Sequence, residues 1–342
     1  MTPIELCERG LVPDRLTRIG MRRLMRQRLN DEFRDAEQQF ARYQQLLTDF
    51  SHGPIAVATD KANEQHYEVP AEFFQLSLGR HLKYSSGYWP VGVDNLDAAE
   101  AAMLALTCER AELDDGMDIL ELGCGWGSVT LWMAEHYPRA LITAVSNSAS
   151  QKAHIMEQCR QRGIDNVRIV TADINEFAGD RHFDRIVSVE MFEHVRNHAE
   201  LMQRISGWLK PGGKLFVHIF CHRLLTYPFE TEGEDNWMGR HFFTGGLMPS
   251  ENYLLNFQQQ LLLDAQWRLS GRHYARTAEA WLENTDCHRA RILALFRDVY
   301  GDTQAAIWLQ RWRMFYMACA ELFGYEDGNQ WLVGHYRFRK NG

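Results

Sequence analysis

The chain has 342 residues, 45% hydrophobic and 24% charged, with 25 Gly and 9 Pro, a globular mixture that excludes disordered, collagenous and low-complexity chains. Its formal charge of -8, from 37 Lys and Arg against 45 Asp and Glu, repels polyanions, so nucleic acid is not an expected partner. Seven cysteines (Cys7, Cys108, Cys124, Cys159, Cys221, Cys287 and Cys319) are odd in number, scattered and without a C-x-x-C pair, which argues against a disulfide framework or a zinc knuckle.

The start, Met1 to Glu8, lacks a basic segment followed by an apolar run, and nowhere do eighteen apolar residues stand together. Neither a secretory leader nor a membrane span is expected, and the expected compartment is the cytoplasm. From Pro3 to about Asp60 apolar residues recur at helical spacing, among them Phe33, Phe40, Tyr43, Leu46, Leu47 and Phe50, which predicts two or three helices forming a cap over residues 1–60. One of these helices carries Arg15, Arg18, Arg22, Arg23, Arg26 and Arg28 beside Leu16, Ile19, Leu24, Met25 and Leu29. Such a helix can lie on an anionic membrane; docking on the protein body with a solvated basic face is the expected reading. Ser51 to Glu64, with Gly53 and Pro54, reads as a linker, and residues 61–342 as the catalytic domain.

After Asp115-Gly116 short apolar runs alternate with helical segments. The runs are Asp118 to Leu122, Leu141 to Val145, Val167 to Thr171, Phe183 to Val189 and Lys214 to Ile219. Helices are predicted near Ser128 to His136, Ser148 to Arg162 and Asn197 to Leu209. The alternation predicts a doubly wound α/β sheet with its ligands at the carboxyl ends of the strands. Cys221 to Pro249 is an aromatic and acidic insertion of lid character, with helices expected from Ser250 to Leu263 and Ala278 to Ala320, so that 221–325 would cover a substrate. Gln330 to Arg339 is expected to be a closing strand.

The chemistry concentrates at strand ends. Glu121-Leu122-Gly123-Cys124-Gly125-Trp126-Gly127 leads from a strand through glycines into a helix, where the missing Cβ atoms let backbone approach a ligand. The spacing is not that of an NAD site: the third glycine comes early, and the second strand ends Ala144-Val145-Ser146-Asn147 without an acid. Glu190, Glu193 and His194 place two acids and a base within five residues at the end of the fourth strand. A carboxylate attracts an ammonium ion, and a carboxylate or imidazole takes its proton, while two close carboxylates raise one pKa. Glu193 and His194 are equally suited to capping the following helix, and Asp173 to an N-cap.

The acid before G-x-G together with Thr171-Ala172-Asp173-Ile174 resembles the S-adenosylmethionine (SAM) site of class I methyltransferases. More narrowly, His66-Tyr67-Glu68-Val69-Pro70, Leu82-Lys83-Tyr84-Ser85-Ser86-Gly87-Tyr88-Trp89, Ser146 to Lys152 and Met191-Phe192-Glu193-His194-Val195 resemble the cyclopropane-fatty-acid synthase superfamily. The resemblance implies a Rossmann-like sheet, SAM as methyl donor with S-adenosylhomocysteine (SAH) as product, and no metal. As SAM contacts it implies Tyr84, Ser85, Glu121, Gly123, Gly125, Asn147, Gln151, Asp173 and Ile174.

That superfamily has a lipid branch, which adds a methylene across a double bond, and an amine branch, that of the coclaurine N-methyltransferases. The lipid branch has glycine where this chain has Glu190, and cysteine where it has Ser86. That cysteine belongs to a bicarbonate-binding set whose other members correspond to Glu193, His218 and Tyr274. Glu190-Met191-Phe192-Glu193-His194, Ser270 to Thr277 and Glu321 to Trp331 resemble the amine branch, although that branch commonly has Phe at Tyr274. The expected function is methylation of a small aromatic or alicyclic amine, with Glu190, Glu193 and His194 catalytic and His218, Tyr274, Trp237 and Trp331 on the substrate side. The alternative is cyclopropanation of unsaturated phospholipid at a membrane. A non-catalytic SAM-binding protein is disfavoured because the acid and base residues are intact. His194/His198 and His218/His222 are spaced i, i+4 but lack a third ligand in register, so a metal site is not expected. A homodimer is an allowed assembly.

Overall fold

The computed structural model describes residues 1–57, 69–233 and 236–341. The expected boundary at 60/61, residues 58–64 of the expected linker, and His66, Tyr67 and Glu68 lie outside the described residues.

Three helices open the chain, α1 (Pro3–Glu8), α2 (Asp14–Glu32) and α3 (Ala36–Asp49). Thr2 and Glu5 form a reciprocal capping box on α1, and the Asp35 carboxylate receives two backbone N–H groups at the start of α3. The basic helix α2 docks on the body: Arg18 reaches Glu279 at 2.6 Å and Glu321 at 3.1 Å, Arg22 reaches Glu321 at 2.5 Å, and Arg28 lies 4.5 Å over the Tyr227 ring. Leu16, Ile19 and Leu24 face outward. No described helix is long and apolar enough to cross a membrane.

The expected linker is, in its described part, a strap. Ile55 is buried and its carbonyl accepts from Arg196 N–H at 2.7 Å, while Ala56 exchanges two hydrogen bonds with the Asn175 side chain, at 3.1 and 2.9 Å.

Next come α4 (Ala71–Ser77) and α5 (Leu96–Arg110), the latter capped by Asn95. The alternating part then runs β1 (Asp118–Leu122), α6 (Ser128–His136), β2 (Leu141–Ser146), α7 (Ala149–Arg162), β3 (Val167–Thr171), β4 (Phe183–Val189), α8 (His198–Trp208) and β5 (Leu209–His222). The insertion holds β6 (Tyr227–Pro228), α9 (Trp237–His241) and β7 (Leu247–Met248), and β8 (Leu261–Leu269) follows it. A helical layer of α10 (Gly271–Cys287), α11 (Arg289–Tyr300) and α12 (Asp302–Gly324) precedes β9 (Trp331–Lys340).

The seven-stranded sheet has the order β3-β2-β1-β4-β5-β9-β8, with β9 antiparallel to both of its neighbours and the other pairs parallel. The near-complete burial of β1 and β2 is what a sheet covered on both faces requires. From β1 the chain winds outward to β3, then returns to β4 on the other side. The crevice between the carboxyl ends of β1 and β4 is where such a sheet holds its ligand.

Two expectations are corrected. Ser250 to Leu263 is not a helix: it contains one 3-10 turn, Tyr253–Asn256, and the start of β8. Pairing with β9 satisfies the backbone of this stretch, and Leu261 and Leu269 are buried at the strand ends. The helical region expected from Ala278 begins earlier, at Gly271, and is broken at His288 and Gly301 into three helices.

Candidate active site

The cofactor side is built mainly by backbone. Leaving β1, Gly123 takes φ +81° and a Cβ on it would come within 2.8 Å of the Met191 Cβ. Gly125 takes φ +52°, with no heavy atom within 4 Å of where a Cβ would project, and it lines a cleft with Gly123, Asn147, Gln151, Ile174 and His194. Thus six of the residues expected at the site share one cavity, whose other walls include Ala56 of the strap and Thr244 and Gly245 of the insertion. Gln151 is fixed by Ser146 Oγ, which donates to its Oε1 at 2.6 Å, while its buried Nε2 has no partner. An orphaned amide donor beside an open glycine turn fits a ligand rich in acceptors, as the amino-acid and nucleoside ends of SAM are.

Other expected cofactor residues support this cleft from outside its lining. Glu121 is fully buried behind the turn, where Thr130 Oγ1 of α6 donates to it at 2.5 Å and burial pushes its carboxyl up to about 7. The Asp173 carboxylate accepts from Asn175 N–H at 2.7 Å at the start of a turn, with no helix following for it to cap. Tyr84 packs against Phe74 and Trp281, and Ser85 Oγ accepts from the Lys83 ammonium.

The acid-base side gathers residues remote in sequence. Glu190 leaves β4 with φ +48°. Its Oε1 accepts from Ser86 N–H at 3.3 Å and sits 3.2 Å from His218 Nε2, and its Oε2 accepts from the Tyr274 hydroxyl at 2.6 Å. Burial pushes this carboxyl up to about 7, against the pull of Lys83 and the Tyr274 hydrogen bond. Glu193, in the 3-10 turn Phe192–His194, accepts from Phe220 N–H at 2.9 Å through Oε1, while Oε2 is buried with no hydrogen-bond partner. Burial, and then the charge of Glu190, hold its carboxyl well above the usual range. His194 lies in the cleft, stacked on Phe243 with ring centroids 5.4 Å apart, and burial pushes it down to about 4, leaving a neutral imidazole.

Lys83, beside Tyr84 in the Leu82 to Trp89 motif, is a further charged group at the site. It is buried, donates to Ser86 O at 2.8 Å, and is pushed down to about 8 by burial against the attraction of Glu190 and Glu100. Trp237 and Trp331, expected on the substrate wall, are core. Trp237 Nε1 donates to Glu8 of α1 at 2.8 Å, and Trp331, fully buried, donates to the Tyr227 hydroxyl at 3.0 Å. Phe220, whose N–H meets Glu193, packs on Phe243, and Tyr274, which meets Glu190, stacks on Phe323 at 4.2 Å. His198 and His222 bond to backbone groups of the core.

The chain matches a known family: the family model described as mycolic acid cyclopropane synthetase covers residues 57–331. The chain belongs to this family. Among its relatives, (S)-coclaurine N-methyltransferase of Thalictrum flavum subsp. glaucum is 37% identical over 97% of this chain and 94% of its own length. The cyclopropane-fatty-acyl-phospholipid synthase of Escherichia coli (strain K12) is 30% identical over 82% of this chain and 68% of its own length. Coclaurine N-methyltransferase bound to N-methylheliamine and SAH superposes with a TM-score of 0.94 at 36% identity, covering 98% of each chain. The sheet is that of the class I methyltransferases, and the cofactor of this family member is SAM. When bound, SAM supplies an electrophilic methyl group on a sulfonium.

Proposed function

We propose that this SAM-dependent N-methyltransferase acts on a small aromatic or alicyclic amine of the alkaloid type, with Glu190, Glu193 and His194 handling charge and proton. One observation carries the reading. Ser86, His218 and Tyr274, three positions of the set that the resemblance implies for bicarbonate in the lipid enzymes, all contact the carboxylate of Glu190. The chain thus supplies from its own Glu190 side chain an anion where the lipid branch has glycine. A buried carboxylate facing aromatic rings suits an organic cation.

The amine enters as an ammonium ion and must shed a proton before its lone pair can attack the methyl group. Glu190 provides countercharge. The free Oε2 of Glu193 accepts a hydrogen bond from the substrate nitrogen, and the neutral His194 imidazole and the Glu193 carboxylate are the proton acceptors. The strap and the insertion wall the cleft, and exclusion of water there strengthens each of these interactions. The test is incubation with methyl-labelled SAM, coclaurine and pavine as amines, and vesicles of unsaturated phospholipid, followed by mass spectrometry. Label on nitrogen is expected; methylene in the lipid with no amine product overturns the proposal.

A further inference from the structure

Behind Glu190 a row of side chains crosses the sheet. His218 of β5 pairs in register with His335 of β9, and His335 with Trp267 of β8, so the three share one face. His218 Nδ1 lies 2.9 Å from His335 Nε2, and His335 Nδ1 lies 2.9 Å from Nη1 of Arg110, the last residue of α5, whose guanidinium sits 5.0 Å over the Trp267 ring. Both histidines are fully buried.

A guanidinium only donates and does not deprotonate. His335 Nδ1 must therefore accept, which puts the His335 proton on Nε2. That proton is donated to His218 Nδ1, so the His218 proton is also on Nε2, and it is donated to Glu190 Oε1. We propose that Arg110 and His335 are positioning residues that lock both histidines in one tautomer and so hold Glu190 as a hydrogen-bonded carboxylate for the reaction. This rests on the role given to Glu190 above. The lock also blocks an exit: a proton passed from Glu190 along the row would have to end on His335 Nδ1, against an Arg110 N–H. The proton of the reaction therefore stays on the substrate side, with Glu193 and His194.

The groups facing Glu190 come from every neighbouring element: Lys83 and Ser86 before α5, His218 on β5, Tyr274 on α10, Cys319 on α12, and Glu193 and His194 in the adjoining turn. Burial and the nearby charges of Lys83 and Arg110 hold both row histidines well below their ordinary range, in agreement with two neutral rings.

The test combines nitrogen NMR of histidine-labelled protein, assigned with His335→Gln, and pH profiles of amine methylation. The wild type should show both rings neutral with the proton on Nε2. In Arg110→Met the His335 tautomer should become mixed, and the acid limb of kcat should move up by about one pH unit, roughly fivefold in rate at neutrality and approaching about tenfold well below it. SAM affinity and melting temperature should hold, and Arg110→Lys, which keeps a donor, should restore the profile. A proton on Nδ1 of either ring in the wild type overturns the lock. An unshifted kcat profile in Arg110→Met, with Glu190→Gln impaired, overturns the positioning role. Full kcat in Glu190→Gln instead means that the reading of the active site has failed, while the spectra still judge the lock.

Discussion

The two sides of the candidate site are held together in different ways. On the cofactor side, between the ends of β1 and β2, the ligand space is shaped by positive-φ glycines and by Gln151, all within one short stretch of chain. On the amine side the shape comes from buried charged side chains of β4, β5, the Lys83 to Ser86 loop and α10, brought together by the sheet from positions up to 104 residues apart for one hydrogen bond. Backbone shape tolerates change in side chains around it, whereas a buried charge depends on each partner. Substitutions on the amine side should therefore impair chemistry while leaving SAM binding intact, and those at the glycine turn should do the reverse.

The largest separation is expected from Glu193→Gln. It removes the acceptor at Oε2 but keeps shape, and should lower kcat on the order of 1000-fold with SAM affinity unchanged by calorimetry. Gly125→Val breaks the other half: a β-branched residue at φ +52° is strained and its side chain enters the cleft. SAM affinity should fall on the order of 100-fold, about 2.7 kcal/mol, in a protein that still melts cooperatively. A smaller effect is the pH response. With the Glu190 carboxyl pushed up to about 7 by burial, the working carboxylate is lost as pH falls through that value. Turnover should drop up to about tenfold per unit below it, while SAM binding should follow pH only weakly. The smallest effect on kinetics should come from Trp331→Ala. Because this indole is core, the variant should lose about 3–5 kcal/mol of stability in chemical denaturation while its KM for the amine stays within about twofold; a larger rise in KM would return Trp331 to the substrate wall.

The same division decided what the sequence could show. β1 to β5, the glycine turn and the Glu190 to His194 cluster are contiguous patterns whose spacing is their structure, and the motif-level resemblance rests on such patterns. β8 is different. Its residues alternate poorly between buried and exposed, and it is a strand because β9, about seventy residues downstream, pairs with it. Leu261-Leu262-Leu263 alone suits a helix as well. Trp237 in the insertion and Trp331 at the start of β9 are buried in the core, and an aromatic residue has the same local signature whether it faces ligand or core. Arg110 and His335 left no local signal; only the register of β5, β8 and β9 brings them into line.

The left-handed backbone of Glu190 has one more consequence. A side chain at φ +48° costs about 1–2 kcal/mol that glycine would not, and the lipid branch, by resemblance, has glycine there and takes up a dissolved anion. An anion from solution occupies its site only in proportion to its concentration, and is lost when the medium is depleted of carbonate. A carboxylate tethered to β4 is present in every molecule at every moment, its effective concentration fixed by geometry. On the function proposed for Glu190, the strain in one residue frees the enzyme from the carbonate content of its surroundings, and amine methylation should proceed at the same rate in degassed and in bicarbonate-rich buffer.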